Sequence, residues 1–320
     1  MIAFFSYHYS KAQTEINYTH CECKEQVNYS NNDNLIKNGD YLFTSNKYPK
    51  FKESGKYKDG KKDGIWIVKN PKGIVISSIE YSVGKLNGKY SLFFFEGEPK
   101  LNAYFVNNKP DKEWKYYNKK GGIIKGGSYD NGKAIGIWKV YDKRGKKIIA
   151  EYDFNTKQSV KTNDNPKIKK SYIPRDSESG GYIIIYYPKR KKINNNVPIG
   201  GNIYSNKQFI DLFNVPFVLM DGIVKYDFNV KGIIKDGVLN VKSIDVLPKS
   251  TFNPNMLFFP YIAITESKKN RNHISNSEKL NSKVKERVFE TIMVLGPWIS
   301  ENSTEIEINV PFVLNKIKGL

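Results

Sequence analysis

Two cysteines, three histidines and five arginines are scarce material for a chain of 320 residues, and each shortage closes a class of function. Two cysteines cannot build the disulfide framework of a small secreted domain. Cys21 and Cys23 stand beside His20, which gives three metal donors, but the other histidines, His8 and His273, supply no evident fourth. No metal site is expected, and in an oxidising compartment the cysteines are left as a strained local disulfide or as free thiols. No lipobox precedes Cys21. Five arginines and no zinc-finger spacing leave no set of base-edge readers. The net charge of +20 and the pI near 9.5 invite a nucleic-acid reading, but the charge is almost wholly lysine spread along the chain, and no nucleic-acid partner is expected. Lysines acting as point charges suit an anionic envelope surface instead: lipopolysaccharide, phospholipid heads or wall polymers. No apolar run approaches the roughly 20 residues that span a bilayer.

Catalytic constellations are missing as well. His273 sits in a polar stretch of Lys, Asn and Ser with no nucleophile beside it, so Ser/His/Asp chemistry has no anchor. No glycine cluster lies between a strand and a helix to cradle a phosphate. Glu305 and Glu307 share one strand face as paired carboxylates would, but charges on an outer strand more often deter aggregation. No enzyme activity and no cofactor are expected.

The first thing the chain does have is a repeat. Between Tyr57 and Phe154 one short text recurs four times at a step of 24 residues. Its copies are Gly60-Lys-Lys-Asp-Gly64-Ile-Trp66, Gly84-Lys-Leu-Asn-Gly88-Lys-Tyr90, Asn108-Lys-Pro-Asp-Lys-Glu-Trp114 and Gly132-Lys-Ala-Ile-Gly136-Ile-Trp138. A second glycine keeps step at Gly73, Gly97, Gly121 and Gly145, and an aromatic precedes each copy at Tyr57, Tyr81, Phe105 and Tyr129. A period of this length marks a stacked array. Gly-Lys-x-Asp/Asn-Gly is turn chemistry, because these residues tolerate positive φ. Each unit then reads as an aromatic-rich β-hairpin, which cannot bury its apolar face without neighbours. Residues 13–55 form an N-terminal segment whose stretch from Asn38 to Ser54 looks like a worn copy, as a capping unit would.

This pattern resembles the MORN repeat in its bacterial variant, over residues 56–155. The resemblance implies an elongated β-solenoid, with Gly64, Trp66, Gly73, Gly88, Tyr90, Gly97, Trp114, Gly121, Gly136, Trp138 and Gly145 as the structural repeat positions. The third copy departs from it, with Asn108 and Lys112 where glycines are expected, so a distorted turn is expected there. MORN arrays serve as spacers, as lipid or protein contact surfaces, and in antitoxin-like proteins.

Residues 1–12, Met-Ile-Ala-Phe-Phe-Ser-Tyr-His-Tyr-Ser-Lys-Ala, resemble the tail of a secretory signal whose basic start is truncated, with small residues at Ser10 and Ala12 before Gln13. The alternative is an ordinary apolar first strand. The signal would place the rest in the periplasm or cell envelope.

Residues 156–181 are polar, lack periodicity and end on a Gly pair, which is linker composition. From Tyr182 the text changes. Ser205, as N-cap, opens a short helix with Phe209, Ile210 and Phe213 on one face. Val224, Tyr226, Phe228 and Val230 alternate with polar residues ahead of a turn over Gly232 to Gly237, and the partner strand follows from Val238 to Val246. Ser275-Asn-Ser-Glu278 is a capping box for a long helix with Leu280, Val284, Val288, Ile292 and Leu295 on one face. After Trp298, a core anchor, a last strand alternates Ile306, Ile308, Val310 and Phe312. Pro311 has no amide donor, so this strand should lie at a sheet edge. An edge must be protected or used to accept a strand from another chain.

In that order of elements residues 182–320 resemble the C-terminal domain of TonB, the energy transducer of Gram-negative envelopes. The match rests on Pro198 with Gly200-Gly201, the Phe209 helix, Gly222 to Val230, and the ending Trp298 then Ile306 to Val313. The departures are Pro297 ahead of Trp298 instead of a later proline, and a polar insertion from Ser267 to Asn276. The fold class expected is mixed: an all-β hairpin solenoid plus an α+β domain with a three-stranded antiparallel sheet and two helices. The domain core should hold Phe209, Tyr226, Phe228 and Trp298. The resemblance implies docking of an extended protein segment, such as the box peptide of an outer-membrane transporter, by strand addition on Thr304, Glu305, Ile306, Glu307, Ile308, Asn309, Val310, Pro311 and Phe312. The function expected is a non-enzymatic envelope binding protein with the array as scaffold. The alternative makes the array the active part, antitoxin-like or surface-binding through residues such as Lys115 and Lys139, with the C-terminal domain a passive cap.

Overall fold

The computed structural model describes residues 12–18, 23–30, 36–45, 51–161, 171–174, 182–186, 197–213, 222–247, 257–258, 261–265, 272–273, 278–300 and 302–314. The signal-like residues 1–11, His20, Cys21 and the Ser275-Asn-Ser part of the capping box lie outside them.

The first half is one antiparallel meander. Its strands are β1 (Ala12–Tyr18), β2 (Cys23–Tyr29), β3 (Lys37–Ser45), β4 (Lys52–Lys58), β5 (Lys61–Lys69), β6 (Val75–Ser82), β7 (Lys85–Phe93), β8 (Pro99–Val106), β9 (Lys109–Tyr117), β10 (Ile123–Asp130), β11 (Lys133–Tyr141), β12 (Ile148–Asp153) and β13 (Gln158–Lys161). They form a single 13-stranded sheet in sequence order, with β1 and β13 as its edges. The hairpin units thus pair edge to edge, and the sheet is not closed into a barrel. The stretch with linker composition contributes β13 to this sheet.

Turn chemistry explains the period. At one end of each hairpin, backbone bonds climb from turn to turn: Gly84 N–H to Lys62 O, Asn108 N–H to Leu86 O and Gly132 N–H to Pro110 O, at 2.7–2.8 Å. The Asp or Asn of each motif reaches forward to the next turn: Asp63 accepts from Val83 N–H, Asn87 from Asn107 N–H and Asp111 from Asn131 N–H. At the other end Asn70, Asn118 and Asp142 fold their side-chain oxygens onto the amides two and four residues on. Asn70 and Asn118 also donate to carbonyls in the following unit, at Phe95 and Lys143.

The aromatic positions share one face. Trp66, Tyr90, Trp114 and Trp138 are buried. Three of the four indoles or phenols at this position are tryptophans, and each donates its Nε1–H to the carbonyl ten residues back, at Lys56, Tyr104 and Ser128. The strand facing each ring carries a bulge, at Gly55, Ala103 and Gly127 in three units. A Cβ on Gly55 would overlap the Trp66 ring, and one on Gly127 the Trp138 ring. In the remaining unit Ile79 takes the place of glycine, the ring is the smaller Tyr90, and the bulge moves on to Glu80. The third copy keeps its turn: Asn108 and Lys112 adopt φ of 65° and 62°, the left-handed region of the glycines they replace.

The second half holds β14 (Ser171–Pro174), β15 (Tyr182–Tyr186), β16 (Val197–Pro198), α1 (Gly201–Leu212), β17 (Gly222–Lys235), β18 (Val238–Leu247), β19 (Leu257–Phe258), β20 (Tyr261–Thr265), β21 (Asn272–His273), α2 (Glu278–Met293), β22 (Trp298–Ile299) and β23 (Thr304–Leu314). The main sheet is larger than the three strands expected. It runs β14-β15-β20-β23-β17-β18, with β19 beside β23 and β21 beside β17. Ser205 is not the N-cap of α1: Gly200 is, in the left-handed conformation, and Ser205 donates its hydroxyl to Gly201 O one turn back. The β17–β18 turn is Asp236-Gly237, with Gly232 inside β17 at a register shift. Phe209, Phe228 and Trp298 are buried, as are Val284, Val288, Ile292 and Leu295; of Tyr226 only the backbone is described. Buried residues of both halves belong to one hydrophobic cluster.

Two glycines separate packing from conformation. Gly127→Ala should cost about 1–3 kcal/mol by overpacking against Trp138. Gly64→Ala has open space around its Cβ and should cost about 1 kcal/mol for its positive φ alone. Urea unfolding of the two variants checks the order, and equal losses would refute the ring-against-glycine account.

Candidate functional site

β23 was the expected docking strand, and its surroundings change that expectation. On one flank it pairs antiparallel with β17 along its whole length, from Ile234↔Thr304 to Val224↔Leu314. On the other it pairs parallel with β19 at Ile308 and Asn309, and with β20 at Phe312 to Leu314. It is therefore an interior strand from Ile308 onward, not an edge. Pro311 is accommodated because the two parallel neighbours leave Val310 and Pro311 unpaired on that flank, so its missing amide interrupts no described ladder there. Thr304, Glu305, Ile306 and Glu307 likewise have no described strand on that side. Glu307 accepts from the Asn229 amide and lies 3.9 Å from Lys231 Nζ, which ties it into the sheet and away from acid–base work. His273 pairs through β21 with Ile223.

The outer strand on this side of the sheet is β18. Its residues pair with β17 from Val238 to Leu247, and no further strand is described beyond it. Asn240, Lys242 and Asp245 are exposed along it while Val238 and Leu239 are buried. Its tip is clamped. Ala134 N–H of the array donates to Asp236 O at 2.8 Å, and Trp298 N–H donates to Gly237 O at 2.9 Å.

The two halves meet along a seam of charged and hydroxyl-bearing side chains. At one end Arg287 of α2 holds Glu53 of β4 at 2.6 Å and Glu290 at 2.9 Å. Tyr81 donates its hydroxyl to Glu290, and Lys62 lies 2.7 Å from Glu286 and 4.4 Å over the Trp66 ring. Burial alone would raise the Glu290 carboxyl, but Arg287 and Lys62 outweigh it and hold the group below the ordinary carboxylate range. Burial likewise pushes Lys62 down, and Glu286 and Glu290 more than reverse it. Burial, then the Glu290 charge, lifts the Tyr81 hydroxyl well above its usual value.

Midway along the seam, Tyr116 donates to Val294 O at 2.7 Å. Lys125 of β10 is fully buried, with Nζ 2.8 Å from Gln208 Oε1, 2.7 Å from Leu295 O and 4.3 Å over the Tyr116 ring. Its described partners are neutral. Burial therefore depresses its ammonium well below the usual lysine range. Such a group stands in a functional site or in a structural seam. Here no described residue group could hold a metal, and the neighbours are backbone carbonyls and an amide, which position but do not react.

Sequence reasoning placed the repeat aromatics but missed Glu53, Lys62 and Lys125. Their signal was present: charged residues on a strand face that is otherwise aromatic. No known protein-family model matches the chain, and a search of curated proteins finds no significant relative. No described helix is long and apolar enough to cross a membrane.

Arg287→Met should lower stability by about 3–5 kcal/mol in urea unfolding, because Glu53 and Glu290 are left buried without their shared partner. For Lys125 the folded value lies below the unfolded one. Its penalty is absent above the unfolded lysine value of 10.5 and grows as pH falls toward the folded value. The stability of Lys125→Met relative to the native chain should therefore rise steadily as pH is lowered from about 10.5; a flat difference would mean that the group stays charged.

Proposed function

We propose that this is a non-enzymatic binding protein of the cell envelope, in which a TonB-type domain docks an extended segment of a partner protein by strand addition and a MORN-type array is its scaffold. The observation that supports this is β18, an outer strand with exposed polar positions and a tip held by the array on one side and Trp298 on the other. Strand addition needs a row of backbone groups already in extended register, and a clamped edge lowers the ordering cost of presenting it. The docking strand is accordingly β18 and not β23, which pairs with β17 along its whole length on one flank and with β19 and β20 at Ile308, Asn309 and Phe312 on the other.

Fluorescence anisotropy with a panel of extended peptides, including transporter box sequences, tests it. At least one peptide should bind, and N-methylation of alternate backbone amides should weaken it at least tenfold, since the amides carry the affinity. Of Ile244→Pro and Asp245→Pro, in the regular part of the strand, one removes an outward amide and spares the β17 ladder. The variant with unchanged stability should lose peptide binding. Failure of every extended peptide to bind would sink the proposal.

A second function is favoured by one further observation. Lys61, Lys85, Lys109 and Lys133, at one position of each repeat, are exposed along the turn edge, with Ile65, Val83, Val106, Ile135 and Ile137 also exposed near it. A cationic row with protruding aliphatics suits an anionic envelope surface, each lysine contributing about 1 kcal/mol near anionic lipid. The array would then be the active surface and the C-terminal domain its cap. Replacing the four lysines by glutamate should abolish cosedimentation with phosphatidylglycerol vesicles, and retained binding would dismiss this function.

A further inference from the structure

The face of the array turned away from the helices carries a second regularity. In β7, β9 and β11 the residues between the buried ones are Lys89-Ser91-Phe93, Glu113-Lys115-Tyr117 and Ile137-Lys139-Tyr141, in the same 24-residue step. Cross-strand pairing turns these into rows running across the strands. One row joins Ser78 to Ser91, Ser91 to Asn102, Asn102 to Lys115, Lys115 to Gly126 and Gly126 to Lys139. Beside it lie the pairs Phe93 with Pro99, Tyr117 with Ile123 and Tyr141 with Ile148, one per hairpin at the same step. The first row is hydroxyl, amide and ammonium, and the second is aromatic and aliphatic. The rings are half-exposed and Ile123 is 37 % exposed, and among the described residues no helix or strand of the second half bonds to either row.

We propose that these two rows are a binding track for a linear, β-linked polysaccharide that carries carboxylates. Equivalent rings are two strands apart, about 9.6 Å, close to the disaccharide repeat of an extended β-linked glycan. Such a chain has apolar C–H faces that lie on aromatic rings and a rim of hydroxyls that pair with Ser, Asn and Lys, so its two chemistries match the two rows in parallel. A peptide of extended conformation would instead need free backbone edges, which this face lacks. The charge matches as well. Lys115 pairs with Glu113 at 2.7 Å and Lys139 with Glu151 at 3.9 Å; both ammoniums are solvent-accessible, and such surface pairs are worth at most about 1 kcal/mol, so a glycan carboxylate can replace either partner. The track is separate from β18 and from the turn-edge lysines, and its success or failure leaves both of the functions above untouched.

Affinity electrophoresis of the full chain in gels containing carboxymethylcellulose, hydroxyethylcellulose or polyglutamate decides it. Carboxymethylcellulose should retard the protein most. Neutral hydroxyethylcellulose should retard it several-fold less, and polyglutamate, a polyanion without sugar faces, least. Tyr117→Ala with Tyr141→Ala should weaken retardation at least tenfold, and Lys115→Gln with Lys139→Gln should abolish the preference for the carboxylated polymer. If the tyrosine variant does not fold, the lysine pair alone still decides. No retardation by carboxymethylcellulose, equal retardation by polyglutamate, or lysine variants with unchanged polymer preference would each overturn the proposal.

Discussion

A sheet with one aromatic face cannot stand in water with that face bare, and this constraint orders the whole molecule. Hairpins that pair edge to edge bury backbone groups but leave the tryptophans of every unit on the same side. Here α1, α2 and the Val294 to Trp298 turn cover that side. The repeat position occupied by Glu53, Ser77, Leu101 and Lys125 shows how closely the cover is fitted. Where the array packs on itself, glycine and tryptophan recur. Where it meets the helices, the same position changes from an acid facing Arg287 to a lysine facing Leu295 O. The periodic residues build the sheet, and the aperiodic ones on its inner face specify how the second half sits.

What could be read in the sequence follows from distance along the chain. Turns and rings at a fixed step concern partners ten to 25 residues apart, and period plus turn chemistry exposes them. The bulged Gly55 and Gly127 belonged to the same step but were hidden, because Ile79 and Ala103 fill the position in the other units. The seam was illegible for a different reason. Arg287 and Glu53 are 234 residues apart, and Tyr81 and Glu290 are 209, so no local pattern links them. The expected edge strand failed similarly. Pro311 does signal a missing ladder bond, but β19 and β20 supply the neighbours from well upstream, so no local pattern links them to it.

The third repeat shows that a turn can be imposed on residues that do not choose it. Asn108 and Lys112 hold left-handed φ at a cost glycine would not incur. Asn108 offsets it with two bonds to the preceding unit: its N–H reaches Leu86 O and its side-chain oxygen accepts from Leu86 N–H at 2.7 Å. Lys112 lays its ammonium 3.6 Å over the Tyr104 ring. Neighbouring turns fix the geometry, and side chains that can bond within it are tolerated.

The seam also shapes what the outside can do. Glu53 and Glu290 are turned inward together with Arg287 and Lys62, so the seam takes equal numbers of both signs off the surface. The excess of 52 basic residues over 32 acids is left for the outside. A buried cluster of this kind adds little net stability, since desolvation cancels most of the attraction, but it fixes which face of α2 meets which repeat. Holding the helices on the inner face leaves the outer rows and the β18 edge as the surfaces on which the proposed partners would be met, under a field that favours anions.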